Sequence, residues 1–419
     1  MSTIAKLKNQ GLISQITSED IDLDNLSYTF YAGFDPTADS LHVGHLFVLM
    51  MMKRLQDLGH TPIAVVGGAT GMIGDPSGKS KERNLLDEEQ IAHNVACVRV
   101  QIEKFIDLKS SGRLVNNMDW MKEFSLIPFL RDVGKNFRLS EMIAKESVQK
   151  RLDSEEGISF TEFTYQILQS YDFLHLYETY GCNLQIGGSD QWGNITAGTD
   201  LIRRKTGGSA FGITFPLIQG ANGQKFGKTE QGTVWLDEKR TSPYQFYQFF
   251  LQTEDSLAVQ YLRYFTLLSD SDIEQLEQDL KERPEARTAQ KALALDITKR
   301  VHGEVLAQKA IEASQILFGA EITQMDDASL SGIFSDVPSL VQQRNILDSG
   351  ELSLLDVLVE AKLVPSKGQG RQRIKGGGIY INNKRVDDEN LKLGPNNLVT
   401  ESTMVLRAGK KNYCLIRFN

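Results

Sequence analysis

A doubly wound, mostly parallel α/β sheet, followed by an all-helical domain and a small α+β domain, is the fold this chain predicts. Short β-branched or aromatic runs alternate with longer helical patterns over residues 28–217, the arrangement of a parallel sheet wrapped by helices. Strand patterns then stop over 242–317, where charge-laced amphipathic segments dominate. From 351 to 419 the charge reverses: 12 lysines and arginines face 7 carboxylates, a net +5, while the rest of the chain carries −13.

Residues 28–34, aromatic and bounded by turn formers, predict the first strand of the sheet, with 35–40 as its loop. Residues 43–58 lack proline, are apolar and then amphipathic, and stop at Gly59, a helix-ending glycine. The apolar run 62–66 suits a buried parallel strand and completes a β-α-β unit. Further helices are predicted at 87–106, 127–131 and 161–180, and strands at 114–116, 184–186 and 213–217. In the last 70 residues, 352–361 reads as helix and 378–381 as strand. A chain of 419 residues calls for several cores, and the expected divisions are 1–238, 239–320, a linker at 321–350 with scattered Asp, Ser and Pro, and 351–419.

Composition excludes several classes. With 41% apolar and 24% charged residues the chain is ordinary for a globular protein, and its longest apolar run, 46–52, is far short of the roughly 20 residues a bilayer needs. No apolar stretch follows the first lysines, so no secretory signal is predicted and a cytoplasmic location is expected. Cys97, Cys182 and Cys414 stand alone, which suggests buried free thiols and neither a disulfide framework nor a zinc site.

Two segments carry the chemistry. His42 and His45, with Gly44 between them, fall at a predicted helix start, where free amides and the positive end of the helix dipole suit phosphate. Imidazole donors would add to this, and a side-chain-free Gly44 lets a flat base approach. The second segment, Lys225-Phe226-Gly227-Lys228-Thr229, offers paired lysines on a loop, and together the two would grip a nucleoside triphosphate from two sides. The glycine-rich string 67–79 fails the Walker pattern, since only three residues separate Gly74 from Gly78, so its glycines read as turns and tight packing after a strand. On the predicted helix 161–180, Tyr165, Gln169 and Asp172 share one face, and a polar face inside an α/β domain needs polar partners or a polar ligand. Residues 184–194 put glycines at a strand end, where α/β sheets bind ligands. Finally, 366–386 mixes glycines with Lys367, Arg371, Arg373, Lys375, Lys384 and Arg385, cationic loops of the kind that contact phosphates.

The string 36–45, Pro-Thr-Ala-Asp-Ser-Leu-His-Val-Gly-His, resembles the first signature of class I aminoacyl-tRNA synthetases, His-Ile-Gly-His, with Val43 in place of isoleucine. Lys225 to Thr229 resembles the second, Lys-Met-Ser-Lys-Ser, in the form typical of bacterial tyrosyl-tRNA synthetases. The resemblance covers nearly the whole chain and implies a nucleotide-binding sheet, activation of L-tyrosine by ATP to an adenylate, and transfer to tRNA(Tyr). It implies that His42, His45, Lys225, Lys228, Thr229 and Thr37 stabilise the transferring phosphates. Tyr165, Gln169 and Asp75 would hold the substrate ammonium, Tyr31 and Asp172 its phenol hydroxyl, and Gln185 and Gln191 the amino acid and its carboxylate. Asp35, Gly44, Gly188, Asp190 and Lys228 would contact ATP, with Lys79 and Arg83 reaching the leaving pyrophosphate. The tail resembles a small RNA-binding module shared with a ribosomal small-subunit protein, which implies contact with tRNA. A homodimer through the region around Phe160 is implied too, and Mg²⁺ is expected to arrive with ATP, since no carboxylate cluster suggests a protein cage. The sister enzyme for tryptophan shares both signatures, but the Tyr31/Asp172 pair and the basic tail argue against it. A silent RNA-binding paralogue would have no physical reason to keep His42, His45, Lys228 and Asp172.

Overall fold

The structure, a computed structural model, describes residues 1–77, 86–153, 157–220, 226–229, 232–322, 326–334, 337–410 and 412–419. They form two compact units, Met1–Gly303 and Glu304–Asn419.

The first unit is built on a six-stranded sheet in the order β1-β6-β5-β2-β3-β4, with β1 Gln15–Ile16, β2 Thr29–Phe34, β3 Thr61–Val66, β4 Arg113–Asn116, β5 Cys182–Gly188 and β6 Phe211–Phe215. Every pairing is parallel except that of the short edge strand β1 with β6. From β2 the chain steps outward to β3 and β4, then returns to β5 on the other side of β2, so the winding direction switches between β2 and β5. At such a switch the carboxyl ends of neighbouring strands splay and leave room for a ligand. Tyr31 pairs in register with Ile63 on one side and Gln185 on the other.

Local sequence explains the elements that frame this crevice. The helix Val43–Asp57 buries Leu46, Leu49, Met50 and Leu55 against the sheet, and Gly59, at φ 92°, ends it. The long helix Phe160–Tyr180 starts at Ser159, whose hydroxyl accepts from the Glu162 amide, and stops at Gly181 in the left-handed region. Arg151 and Glu162 form an ion pair at 2.8 Å with side chains only 2% and 3% exposed.

Four helices, Pro243–Leu251, Asp255–Phe265, Asp270–Glu282 and Thr288–His302, complete the first unit. They join the sheet through aromatic packing: Phe47, on the Val43–Asp57 helix, stacks on Tyr264 at 4.5 Å between ring centroids.

The second unit begins with the helix Glu304–Leu317, so the division at Gly303 falls inside the stretch 239–320 that sequence alone groups together. Packing gives the reason, because Ile316 shares a core with Leu330, Phe334, Val405, Tyr413 and Leu415. Its sheet runs β11-β10-β12-β13-β9, with β9 Ser339–Gln342, β10 Ile379–Ile381, β11 Lys384–Arg385, β12 Thr403–Ala408 and β13 Asn412–Phe418. The segment 321–350 carries the helix Asp327–Ile333, strand β9, which pairs in parallel with β13, and the helix Arg344–Asp348. Its polar residues act as fasteners, since the Asp327 carboxylate accepts from the hydroxyls of Thr400, Ser402 and Thr403. Among the described residues no helix is long and apolar enough to cross a membrane.

Candidate functional site

The loop after β2 leads directly into the Val43–Asp57 helix, and His42 is its N-cap rather than part of its first turn. The Gly44 amide donates to His42 Nδ1 at 3.0 Å and the His42 amide to His45 Nδ1 at 3.2 Å, while the His45 amide donates to the His42 carbonyl at 2.8 Å and the Val43 amide to the Val234 carbonyl at 3.1 Å. The free amides expected at this helix start are therefore taken up internally. What the start offers instead is imidazole: an Nδ1 that accepts a backbone N–H carries no proton, so the ring proton of each histidine sits on Nε2, on the far side from the backbone. The two rings stack at 4.0 Å between centroids. A Cβ at Gly44 would lie 2.7 Å from Cε1 of His42, so the glycine makes room for that ring.

The second signature meets the first through backbone. His42 forms an antiparallel bridge with Trp235, and the Leu236 amide donates to the Leu41 carbonyl at 2.8 Å. The Val234 amide donates in turn to the Gly227 carbonyl at 2.9 Å. Gly227, at φ 79°, sits so close to the helix that a Cβ on it would lie 2.5 Å from Val43 Cγ2. Lys228–Thr229 (β7) pairs with Gly232–Thr233 (β8) in a short hairpin. Arg240 lies over the Trp235 ring at 3.7 Å and pairs with Asp39 at 2.6 Å, which secures the bridging segment from outside. Lys225, Lys79 and Arg83 lie outside the described residues.

Beyond β2 and β5 a buried polar network fills the switch-point crevice. Tyr165 donates its hydroxyl to Asp35 Oδ2 at 2.8 Å, and Thr70 donates to Asp35 Oδ1 at 2.7 Å. Asn117 donates to Thr70 Oγ1 and to Asp172 Oδ2, both at 2.9 Å, and Trp120 Nε1 donates to Asp172 Oδ1 at 2.8 Å. Asp35, expected on the ATP side, thus faces Tyr165, and Tyr165, Gln169 and Asp172 do lie on one helix face turned into the crevice. Asp75 accepts from Gln191 Nε2 at 2.6 Å and from the Ser77 amide at 2.8 Å. Gln169 donates to Gln191 Oε1 and accepts from Asn194 Nδ2, each at 3.1 Å. The polar face predicted from helical spacing is thereby matched by polar partners from three other segments.

Burial tunes these groups. Asp172 is pushed up to about 7 by desolvation, against the pull of its bonds from Asn117 and Trp120. Tyr31 and Tyr165 are held well above the usual phenol range by burial and by nearby carboxylates, so both remain neutral donors. Among the described residues the Tyr31 hydroxyl and Gln185 Oε1 are buried without a hydrogen-bond partner, on neighbouring strands at paired positions. Such groups fit a polar ligand. At the β5 end, a Cβ on Gly188 would lie 2.5 Å from Asp190 Oδ1, so the glycine lets the turn fold back on that carboxylate. Thr37 is exposed on the loop between β2 and the histidines. Among the described residues no cluster of His, Cys, Asp or Glu could hold a metal ion, and all three cysteines are free thiols.

Thr70, Asn117, Trp120 and Asn194 belong to the network and carry no motif of their own. The available signal was position: Asn117 directly follows β4, a polar residue at the carboxyl end of a parallel strand. Glycines 67 and 68 confirm the tight-packing reading, because a Cβ on the first would overlap Asp35 and Thr70 and one on the second would overlap Asn116.

In the second unit the basic segment is not a loop. Lys367–Lys375 is a helix capped by Ser366, whose hydroxyl accepts from the Gln369 amide, and Gly370 is required because a Cβ would lie 2.8 Å from Leu355. Lys367, Arg371, Arg373, Lys375, Lys384 and Arg385 are all exposed. Four have carboxylate partners: Lys367 with Asp356, Lys375 with Glu389 at 3.2 Å, Lys384 with Glu321 at 2.6 Å and Arg385 with Asp387 at 2.8 Å. Glu321, Lys384, Arg385, Asp387 and Asn397 edge an open cavity of about 780 Å³.

Known proteins match both units. A family model described as tRNA synthetases class I (W and Y) matches residues 24–319, and one described as Tyrosine--tRNA ligase SYY-like C-terminal domain matches 329–416. The chain is 50% identical over 423 residues to the tyrosine–tRNA ligase of Roseiflexus castenholzii and 50% identical over 425 residues to that of Geobacillus stearothermophilus, with 100% of each chain covered. Among solved structures, a C-terminally truncated mitochondrial tyrosyl-tRNA synthetase of Aspergillus nidulans superposes with a TM-score of 0.68 at 30% identity, over 76% of this chain and 94% of that one. A tyrosyl-tRNA synthetase from Archaeoglobus fulgidus shares the fold at a TM-score of 0.53 and 15% identity, over 74% and 98% of the two chains.

Proposed function

The chain belongs to the class I tRNA synthetases of the tryptophan and tyrosine group, and from that membership we propose that it activates L-tyrosine with ATP and passes the tyrosyl group to tRNA(Tyr). The observation that carries the choice of tyrosine is the buried Asp172 carboxyl, held by Asn117 and Trp120 beyond a strand whose Tyr31 hydroxyl lacks a partner. A phenol hydroxyl pairs with both. Phenylalanine would leave them desolvated and unpaired, a penalty of about 1–3 kcal/mol per group, and an indole N–H would sit in a different place.

In the first step an oxygen of the tyrosine carboxylate attacks the α-phosphorus of ATP, the bond to the β-phosphate oxygen breaks, and pyrophosphate leaves with the electron pair. The nucleophile is already ionised at neutral pH, so no general base is required and catalysis rests on donors that meet the phosphates best in the transition state. His42 and His45 supply Nε2–H donors at the positive end of the Val43–Asp57 helix, and Lys225, Lys228, Thr229 and Thr37 join them. In the second step the terminal ribose hydroxyl of the tRNA attacks the tyrosyl carbonyl and AMP leaves. Asp75, Gln191, Gln169 and Tyr165 orient the ammonium and carboxylate, Gln185 lines the amino acid, and Gly188 and Asp190 hold the ribose. Gly44 serves the ATP side by making room for His42, Asp35 contacts ATP, and Lys79 and Arg83 meet pyrophosphate. Mg²⁺ enters with the triphosphate, held by phosphate oxygens and water.

Chemistry is assigned to 1–238, and tRNA contact to the helices of 239–320 and to 351–419 beyond the segment 321–350. The basic helix and the β10–β11 hairpin of the tail meet tRNA phosphates. Homodimerisation is supported by exposed apolar side chains, Phe160 at the start of the long helix, 77% exposed, and Leu126, Ile127 and Leu139 in the segments that precede it; a monomeric sedimentation value at micromolar concentration would remove it. The cytoplasm, which supplies both ATP and tRNA, is the compartment assigned to the chain.

Tyrosine-dependent exchange of labelled pyrophosphate into ATP tests the assignment, run beside tryptophan and phenylalanine. Exchange with tyrosine alone is expected. Tryptophan-driven exchange would transfer the chain to the sister activity, and none at all would leave only RNA binding.

A further inference from the structure

Tyr261 lies in the middle of the helix Asp255–Phe265, 4% exposed, in the same unit as the site but outside the crevice. Its hydroxyl donates to the Gln219 carbonyl at 3.0 Å, and its ring meets the Phe226 ring edge-on at 5.2 Å. Burial pushes its phenol up to about 12, so it stays a donor throughout the working range. Gln219 and Phe226 stand on either side of 221–225, and Phe226 is the second residue of the lysine signature. One side chain thus touches both the chain ahead of the signature, at Gln219, and the signature itself, at Phe226.

The anchor is shared. Phe226 also stacks on Phe265 at 5.2 Å, with the ring planes 19° apart, and meets Phe249 at 5.4 Å. Phe265 and Tyr264 in turn pack on Phe47 of the histidine-bearing helix, at 6.3 and 4.5 Å. A single helical turn, Tyr261 to Phe265, therefore supports the lysine signature on one side and the histidine helix on the other.

We propose that Tyr261 is a positioning residue for the ATP half of the reaction, fixing Gln219 and Phe226 so that the backbone at Gly227 and Lys228 is held against the start of the histidine helix. The proposal rests on the function argued above. It separates two contributions, a hydroxyl bond to Gln219 and an aromatic contact to Phe226, which two substitutions isolate. Tyr261→Phe keeps the ring and removes the bond; Phe226→Ala keeps the bond and removes the contact.

Pyrophosphate exchange should show Tyr261→Phe raising the KM for ATP or lowering kcat by roughly 3- to 10-fold, the size of one lost hydrogen bond, with the KM for tyrosine unchanged within twofold. Phe226→Ala should lose more, and Phe226→Met should recover most of it, because a flexible apolar side chain can refill the cluster. The independent readout is limited trypsin cleavage after Lys225 or Lys228, expected to accelerate severalfold in Tyr261→Phe. Tyr264→Phe, on the same helix with its hydroxyl turned to Gln260 Nε2 at 2.6 Å, should leave both readouts at wild-type values. Wild-type ATP kinetics with an unchanged cleavage rate in Tyr261→Phe would overturn the proposal, as would a loss shared equally between tyrosine and ATP. Absence of exchange in the wild-type chain would overturn the function instead, while the cleavage comparison would still decide the positioning role.

Discussion

Asn117 stands with its amide nitrogen 2.9 Å from Asp172 Oδ2, and the same nitrogen reaches Thr70 Oγ1 at 2.9 Å. Through Thr70 the link continues to Asp35 and Tyr165, so one carboxamide joins the buried Asp172 carboxylate to the half-buried one of Asp35.

Tyrosine binding should therefore depend on pH through Asp172, whose carboxyl is raised to about 7 by burial. The protonated form is favoured in the folded chain, so its contribution to stability is complete below the ordinary carboxylate range near 4 and is lost as pH climbs through 7. A phenol that donates to the ionised carboxylate binds in the opposite sense, and affinity should fall by up to about tenfold per pH unit below 7. Asn117→Ala removes a donor to the carboxylate and should move that break upward. Equilibrium dialysis of tyrosine from about pH 5.5 to 9 measures both; a break that stays put in the variant would remove Asn117 from the circuit.

Gly227→Ala should damage exchange without unfolding the chain. An alanine at φ 79° costs about 1–2 kcal/mol, or roughly 5- to 30-fold if borne in the reacting state, and its methyl would press on Val43. Adding Val43→Ala relieves the overlap but not the strained backbone, so the double variant should regain only part of the rate. Full recovery would show that backbone conformation contributes nothing.

The Arg151–Glu162 pair, almost wholly buried, is a stability element. Glu162→Gln strips the Arg151 charge of its carboxylate and should cost about 3–5 kcal/mol, whereas Arg151→Met with Glu162→Leu should recover most of the loss. Urea unfolding midpoints of the wild-type chain and the two variants decide it.

How much of this was legible differs from residue to residue. The β-α-β unit announced itself through the apolar run of β3 and the stop at Gly59, and the Tyr165/Asp172 face through helical spacing. Asn117 offered only its position after β4, because its partners come from the pairing of β4 beside β3 and from Thr70, a distant residue brought near by the sheet. The helix Lys367–Lys375 was hidden by its two glycines, poor helix formers, of which Gly370 is demanded by Leu355 across the core. The uses of the histidine Nδ1 atoms follow from cap geometry, which motif spacing does not encode.

Arg371 is exposed on the basic helix with no ion pair recorded for it among the described residues, whereas Lys367 is matched by Asp356. Arg371→Ala should reduce the slope of log affinity for tRNA against log salt by about 0.7–0.9, the share of one phosphate contact. Asp356→Asn should act the other way and tighten binding by freeing Lys367. Filter binding between about 50 and 200 mM salt separates the two; an unchanged slope in Arg371→Ala would take that residue off the RNA face.

The bridge between His42 and Trp235 also sets a timetable for the nascent chain. The two residues are separated by more than half the length of the first unit, so the histidine cap can gain its bridge partner only after most of that unit has been synthesised. At about 5–20 residues per second, the wait between them is roughly 10–40 s. During that interval the early β-α-β unit can pack its apolar helix face, while the His42 end of the helix still lacks its Trp235 partner. A truncated product ending before Trp235 would carry both histidines without the bridge partner of His42.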